Sequence, residues 1–231
     1  MEKAVKIIFK AIEKQNKIYI HGDYDADGVT ATTILVNTLK KLGTENINVF
    51  IPHREEDGYG LNLNTVEFLK EKKTDLIITC DCGISNTEEA KLVKKYGMEI
   101  IITDHHAVPD KLPKADAIIH PKIKKEKYPD KNLCGAAVAF KLAQGLLKKH
   151  KEKEKTLPNG ETHEGFEKWM LDLVAIASIG DMVPLLGESR TLTKYGIYVL
   201  NKSKNIGLQE LLKISGLTDE DGKVRRGRIN A

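Results

Sequence analysis

The sequence is short of several things, and each shortage closes off a class of function. No run approaches the roughly 20 apolar residues that a membrane helix requires, so no membrane partner is expected. The first residues, MEKAVKIIFKAIEKQNK, scatter acids and bases and contain no unbroken apolar stretch, which argues against a secretory signal. Cysteine is scarce and odd in number: three in 231 residues, with Cys80 and Cys82 two apart in TCDCG. That spacing is too tight for an ordinary bridge or for a C-x-x-C redox motif. Free thiols at a buried strand end, in a reducing cytoplasm, are the expectation. Only five of the 37 basic residues are Arg, and there are three Gln, a Lys-rich and Gln-poor balance of the kind thermophiles favour. Neither G-x-G-x-x-G nor G-x-x-x-x-G-K-[ST] follows the first apolar run, so a dinucleotide or P-loop site is not indicated. There is no internal repeat.

The charge is uneven. The formal net charge is +4, but residues 111–155 hold 13 Lys against five acids, a local balance of +8 that leaves −4 elsewhere. Such a block is a candidate footprint for a polyanion. The plain alternative is a solvated Lys-rich loop and helix face. No ladder of aromatics accompanies it beyond Tyr128, so base stacking there is not suggested.

Short β-rich apolar runs alternate with helical periods. Strands are expected at Ile18–His21, Asn48–Ile51, Leu76–Cys80, Glu99–Thr103 and Ala117–His120. Helices are expected at Gly28–Leu42, Asn64–Lys72, Asn86–Tyr96, Gly135–Lys149 and Gly165–Ser178. Asn86 and Glu89 have capping-box spacing, and Gly97 stops that helix. Lys148–Glu164 reads as a polar surface insertion with the preceding helix fraying, followed by helix to about Ile214. The fold class expected is α/β: a doubly wound, mainly parallel sheet with helices on both faces, followed by a helical C-terminal part.

Four clusters of acids and histidines fall at the ends of these elements. The first, directly after IYI, is His21-Gly22-Asp23-Tyr24-Asp25-Ala26-Asp27-Gly28. Three carboxylates in five residues repel one another unless a cation neutralises them. A turn or a helix cap explains one or two of them, but not three and a His. No Glu closes a 12-residue loop, so an EF-hand is not indicated. The second is Asp81 in IITCDCGIS, which alone would read as a cap. The third is Asp104-His105-His106 after EIIIT, a carboxylate beside two imidazoles. The fourth is Asp181 in ASIGDMVPL, where a helix cap is again the plain alternative. Open α/β sheets place their sites at the carboxyl ends of strands, so three of the four should converge. Mixed imidazole and carboxylate donors suit Mn²⁺, Zn²⁺ or Fe²⁺ more than Ca²⁺, and the excess of carboxylate favours Mn²⁺ or Mg²⁺. The donors are too many for one ion, which points to two.

In order and spacing, HGDYDADG, the Asp in CDCGIS, DHH and GDMVPL resemble the four motifs of the DHH phosphoesterase superfamily. The form HGDYDADGVT, with PHREEDGYGLN and LCGAAVAFKLAQ, is similar to its RecJ-like branch of single-stranded-DNA exonucleases. Oligoribonuclease members usually carry a Pro-Asp-Ala-Asp first motif, where this chain has Tyr24-Asp25-Ala26-Asp27. The resemblance implies that His21, Asp25, Asp27, Asp81, His105 and Asp181 are metal ligands, with Asp81 bridging two divalent cations, Mn²⁺ first and Mg²⁺ second. It implies that His106 contacts the scissile phosphate and that Asp104 orients a histidine. Asp23, typical of this branch, is a ligand or a neighbour of one. Arg54, in the loop after the second strand, and Arg190 in GESRTLTKYG are the implied phosphate or nucleic-acid contacts. Ser189 stands where the family usually has Asn. The activity implied is in-line attack of an activated water on a phosphodiester, 5′→3′ along single-stranded DNA, in repair or recombination.

The domain reading is a catalytic unit over 1–231, α/β to about residue 130 and mostly helical thereafter. VRRGRINA at the end resembles a segment that in the family leads into a further, DHH-associated domain, so the chain is expected to be the catalytic part of a longer enzyme. Two other functions compete: a small-substrate phosphoesterase acting on short oligonucleotides, cyclic dinucleotides or pyrophosphate, and a non-catalytic DHH scaffold. The scaffold would be expected to lack motif acids, and all are present. Protein partners stay open.

Overall fold

The computed structural model describes residues 1–124 and 126–217. Along the chain come α1 (Glu2–Glu13), β1 (Ile18–Gly22), α2 (Ala26–Lys41), β2 (Ile47–Phe50), α3 (Leu63–Glu71), β3 (Leu76–Cys80), α4 (Thr87–Lys95), β4 (Glu99–Thr103) and β5 (Ala117–Ile119). The helical part follows as α5 (Gly135–Lys151), α6 (His163–Trp169), α7 (Leu171–Gly180), α8 (Gly187–Leu200) and α9 (Ile206–Ile214).

The five strands form one parallel sheet in the order β2-β1-β3-β4-β5. Side chains alternate faces along a strand, and both faces are apolar. Ile18, Ile20, Leu76, Ile78 and Ile101 join the core shared with α1, α2, α5 and α7. Tyr19, Ile77, Ile100 and Ile102 join a second core with Val66, Leu69 and Val93 from α3 and α4. This is the expected doubly wound architecture, and the helical part packs on it through α5 and α7.

Register is what positions the site. Gly22 pairs with Cys80, and Cys80 with Thr103, so β1, β3 and β4 end level with one another. The three motifs that follow these strands therefore begin side by side. Strand order reverses between β1 and β3, the switch point where open α/β sheets leave a crevice.

Several boundaries differ from expectation. Strand β2 lies one residue earlier than Asn48–Ile51, and α2 starts at Ala26, because Asp25 rather than Asp27 caps it. Asn86 occupies the cap position of α4 but forms no capping box. Its Nδ2 instead donates to Leu61 O at 2.6 Å. Helix α5 runs to Lys151 without fraying at Lys148, and the expected Gly165–Ser178 helix is broken at Met170 into α6 and α7. Helix α1, which the strand-and-helix reading omitted, buries Ala4, Val5, Ile8 and Ala11 on one face. Among the described residues, no helix is long and apolar enough to cross a membrane. VRRGRINA and Lys125 lie outside the described residues.

Candidate metal centre

Beyond β1 the chain turns through Asp23 and Asp25 into α2. Asp25 caps that helix, its Oδ1 accepting from the N–H groups of Asp27 and Gly28, both at 2.9 Å. Asp27, in the first turn, points across to the start of α5. Its carboxylate accepts from Gly135 N and Ala136 N, both at 2.6 Å, at the positive end of that helix. Asp81, just past β3, takes a left-handed backbone (φ 63°), and its N–H donates to Thr103 O at 3.0 Å. A non-glycine residue held in that region signals a local constraint, commonly functional.

Past β4, Asp104 is saturated by its surroundings. Oδ2 accepts from Ile84 N at 2.9 Å, and Oδ1 from His105 N at 2.7 Å and His106 Nδ1 at 2.8 Å. It orients the histidine loop. His105 Nε2 lies 3.1 Å from Asp81 Oδ1, 3.6 Å from Asp27 Oδ2 and 3.7 Å from Asp181 Oδ2. Asp181 arrives from the end of α7, which it C-caps.

Three overlapping donor groups result, each with its ligand atoms within 4.8 Å: Asp27–His105–Asp181, Asp81–His105–His106 and Asp23–Asp25–Asp81. The structure thus gathers five of the six expected ligands, with Asp23 and His106 beside them. His21 belongs to none of these groups. It is fully buried, stacks on Phe50 with ring centroids 5.5 Å apart, and has Nδ1 3.6 Å from Cys82 Sγ. Arg54 is exposed in the loop after β2, its guanidinium 5.3 Å from the centre of the Tyr24 ring. Arg190 is exposed on α8.

Do the residues fit a cation? Buried His21 Nε2, Asp23 Oδ1, Asp81 Oδ1 and His105 Nε2 all lack a hydrogen-bond partner. Unpartnered buried polar and charged atoms cost several kcal/mol each, and the convergence of those of Asp23, Asp81 and His105 on one crevice is what a divalent ion would relieve. The donor set, mostly carboxylate with imidazole, matches Mn²⁺ or Mg²⁺.

The electrostatics of the metal-free site agree. Burial, and then the neighbouring Asp81 charge, push Asp27 up to about 7. Burial, with Asp25, Asp104 and Asp181 nearby, pushes Asp81 up to about 8. The Asp104 hydrogen bond raises His106 to about 9, while burial lowers His105 and brings His21 down to about 4. Burial would raise Asp104, but hydrogen bonds from His106 and Ile84 outweigh it and hold it low.

A stability profile follows. Asp27, Asp81 and His106 bind protons more tightly folded than unfolded, so the stability they contribute is lost as pH rises through about 7, 8 and 9. His21 and His105 act oppositely, but only below their ordinary value of 6.5. In chelator, the melting temperature should fall between pH 6.5 and 9, and saturating Mn²⁺ should flatten the fall. A metal-free profile that is level or rising over that window would contradict these shifts.

Three contributors escaped the sequence reading. The start of α5, Gly135 and Ala136, reads as an ordinary helix opening, and nothing local betrays its role as the cradle of Asp27. His120 closes AIIH. Its Nδ1 accepts from Lys122 N at 3.1 Å, which leaves Nε2–H to donate to His106 O at 3.0 Å. Tyr59, inside GYG, places its hydroxyl 3.1 Å from His106 Nδ1. The paired glycines were its one visible signal.

Known proteins share this sequence and fold. The family model for the N-terminal domain of the DHH family matches residues 17–178. The single-stranded-DNA-specific exonuclease RecJ of Bacillus subtilis is 43% identical over 216 residues, covering 94% of this chain and 25% of that protein. A crystal structure of exonuclease RecJ bound to manganese superposes with a TM-score of 0.80 at 35% identity, covering 96% of this chain and 52% of that one. RecJ from Thermus thermophilus in complex with Mn²⁺ gives 0.75 at 32% identity, covering 93% of this chain and 29% of that one. The chain therefore spans a quarter to a half of the length of these relatives. With its fold, its four motifs and its family match in agreement, this chain belongs to the DHH family.

Proposed function

We propose that the chain is the catalytic part of a metal-dependent phosphodiesterase, an exonuclease that degrades single-stranded DNA from the 5′ end. The observation that carries this reading is the convergence at the β1/β3 switch point of three donor groups, linked through Asp81 and His105, each of which belongs to two of them. Asp23 and Asp25 on one side, and Asp27, His105 and Asp181 on the other, would hold two divalent cations, Mn²⁺ or Mg²⁺, with Asp81 between them. His21 is the remaining family ligand position, its Nε2 buried and without a hydrogen-bond partner. When bound, two such ions lower the pKa of water and neutralise charge developing on the phosphate.

The chain's own residues do the rest. His106, fixed by Asp104, presents its imidazole to the scissile phosphate, and Arg54 over Tyr24 offers a planar fork for a second phosphate contact. Arg190 would act further along the strand. Residues 1–231 form one catalytic unit in this reading. Its α/β and helical parts are joined where Asp27 accepts from Gly135 and Ala136. Three buried free thiols fit the reducing cytoplasm.

The test is product analysis on 5′-phosphorylated single-stranded DNA with Mn²⁺. Mononucleotides should appear from the 5′ end, and affinity should fall with salt at a log–log slope of about −0.7 per phosphate contacted. Faster cleavage of dinucleotides than of a thirty-residue strand would replace this reading with the small-substrate one. Failure to bind Mn²⁺ would favour a scaffold.

A further inference from the structure

The loop between β2 and α3 delivers a side chain to the metal centre that none of the four motifs contains. Tyr59 stands between Gly58 and Gly60, both at φ 75°, a region that glycine enters without strain. The loop is tied down around it. His53 N donates to Asp57 Oδ2 at 2.8 Å, Asn62 Nδ2 donates to Asp57 O at 3.1 Å, and Asn86 Nδ2 holds Leu61 O at 2.6 Å. Leu61 itself is buried in the core under α3 and α4. Tyr59 is thus set by backbone geometry and anchored neighbours. Its own burial does not fix it, since the residue is 51% exposed.

What the ring presents inward is polar. The hydroxyl donates to the carbonyl oxygen of Asp81 at 3.2 Å and lies 3.1 Å from His106 Nδ1, with the two rings edge-on at 5.5 Å. Asp81 is the residue whose backbone needs holding. Its left-handed conformation costs about 1–2 kcal/mol for a non-glycine residue, so it persists only where neighbours over-determine it. Its N–H is held by Thr103 O and its C=O by Tyr59.

We infer that Tyr59 is a positioning residue of the metal centre: its hydroxyl fixes the Asp81 peptide, and with it the direction of the shared carboxylate, while its ring edge fixes the His106 imidazole. The activity arm of the test rests on the phosphodiesterase reading, and the metal-binding arm does not. Tyr59→Phe keeps the ring and removes one oxygen. Mn²⁺ binding to the metal-free chain, read by calorimetry, should weaken about tenfold, the usual scale for losing an outer partner of a ligand, with the melting temperature near the parent's. At saturating Mn²⁺, kcat should fall about tenfold on both bis(4-nitrophenyl) phosphate and single-stranded DNA, with KM within about twofold.

Unchanged Mn²⁺ affinity in the Phe variant would overturn the assignment. So would a loss confined to DNA, which would make Tyr59 a strand contact instead. A parent chain that binds Mn²⁺ but cleaves neither substrate would sink the phosphodiesterase reading, and the Mn²⁺ comparison would still decide Tyr59.

Discussion

Asp81→Asn should abolish hydrolysis and at the same time raise the melting temperature of the metal-free protein. The carboxylate is 1% exposed, and burial together with Asp25, Asp104 and Asp181 pushes it up to about 8. Above that pH the folded, metal-free chain carries a desolvated charge among like charges, and the amide removes the charge while keeping the shape. Asn also tolerates the left-handed backbone found there. Stability in chelator at pH 9 should therefore increase. Activity should fall by about 10³-fold or more, since losing the shared ligand removes several kcal/mol of transition-state stabilisation at tenfold per 1.36 kcal/mol. Thermal melts in chelator and initial rates on single-stranded DNA with Mn²⁺ read the two effects. A variant that cuts within about tenfold of the parent would remove Asp81 from the site. A lower metal-free melting temperature would show that the carboxylate is satisfied by the protein alone.

Gly135→Ala should be nearly as damaging, against the usual direction of that substitution. Replacing Gly by Ala within a helix ordinarily stabilises it by about 1 kcal/mol. Here an added Cβ would lie 2.5 Å from Asp81 Cβ and 2.6 Å from Asp81 Cγ, at the foot of the metal centre. The start of α5 would have to retreat, loosening the two 2.6 Å bonds by which Gly135 N and Ala136 N hold Asp27. Overpacking of this kind costs about 1–3 kcal/mol, and a displacement of about 1 Å at a reacting centre can cost 10²-fold in rate. The control is Gly207→Ala in α9, where the nearest atom to an added Cβ is Asn205 Oδ1 at 3.5 Å, and which should be neutral or stabilising. Wild-type rate and stability in Gly135→Ala would mean that the approach of α5 to Asp81 is not needed.

Much of the site could be read from residue order because its parts are local. Continuous β-rich apolar runs mark β1, β3 and β4, and an acid directly beyond each must lie at a carboxyl end of the sheet. Three Asp in five residues betray a cation without any tertiary knowledge, since no local cap uses all three. The same locality misled in places. Asn86 and Glu89 have capping-box spacing, yet the Asn86 amide goes to Leu61 O, 25 residues away. The Lys-rich block 111–155, continuous in sequence, is divided in space. Lys148–Lys155 lie at or beyond the far end of α5, a helix about 25 Å long at 1.5 Å per residue, and Lys149 and Lys151 are paired with Glu152 and Glu164. The block's near part, around Lys122, is the part that adjoins His120 and the histidine loop.

The sequence by itself determined the α/β class, the strands and the identity of the acids and histidines, because side-chain period and like-charge crowding act over a few residues. Only the tertiary structure decided what holds those groups in place. Asp27 meets the first peptides of α5 across 108 residues of chain, Tyr59 reaches Asp81 from another loop, and His120 supports His106 from the end of the neighbouring strand. Backbone N–H and C=O groups are present in every residue, so which of them meets a given carboxylate or ring leaves no mark on composition or spacing.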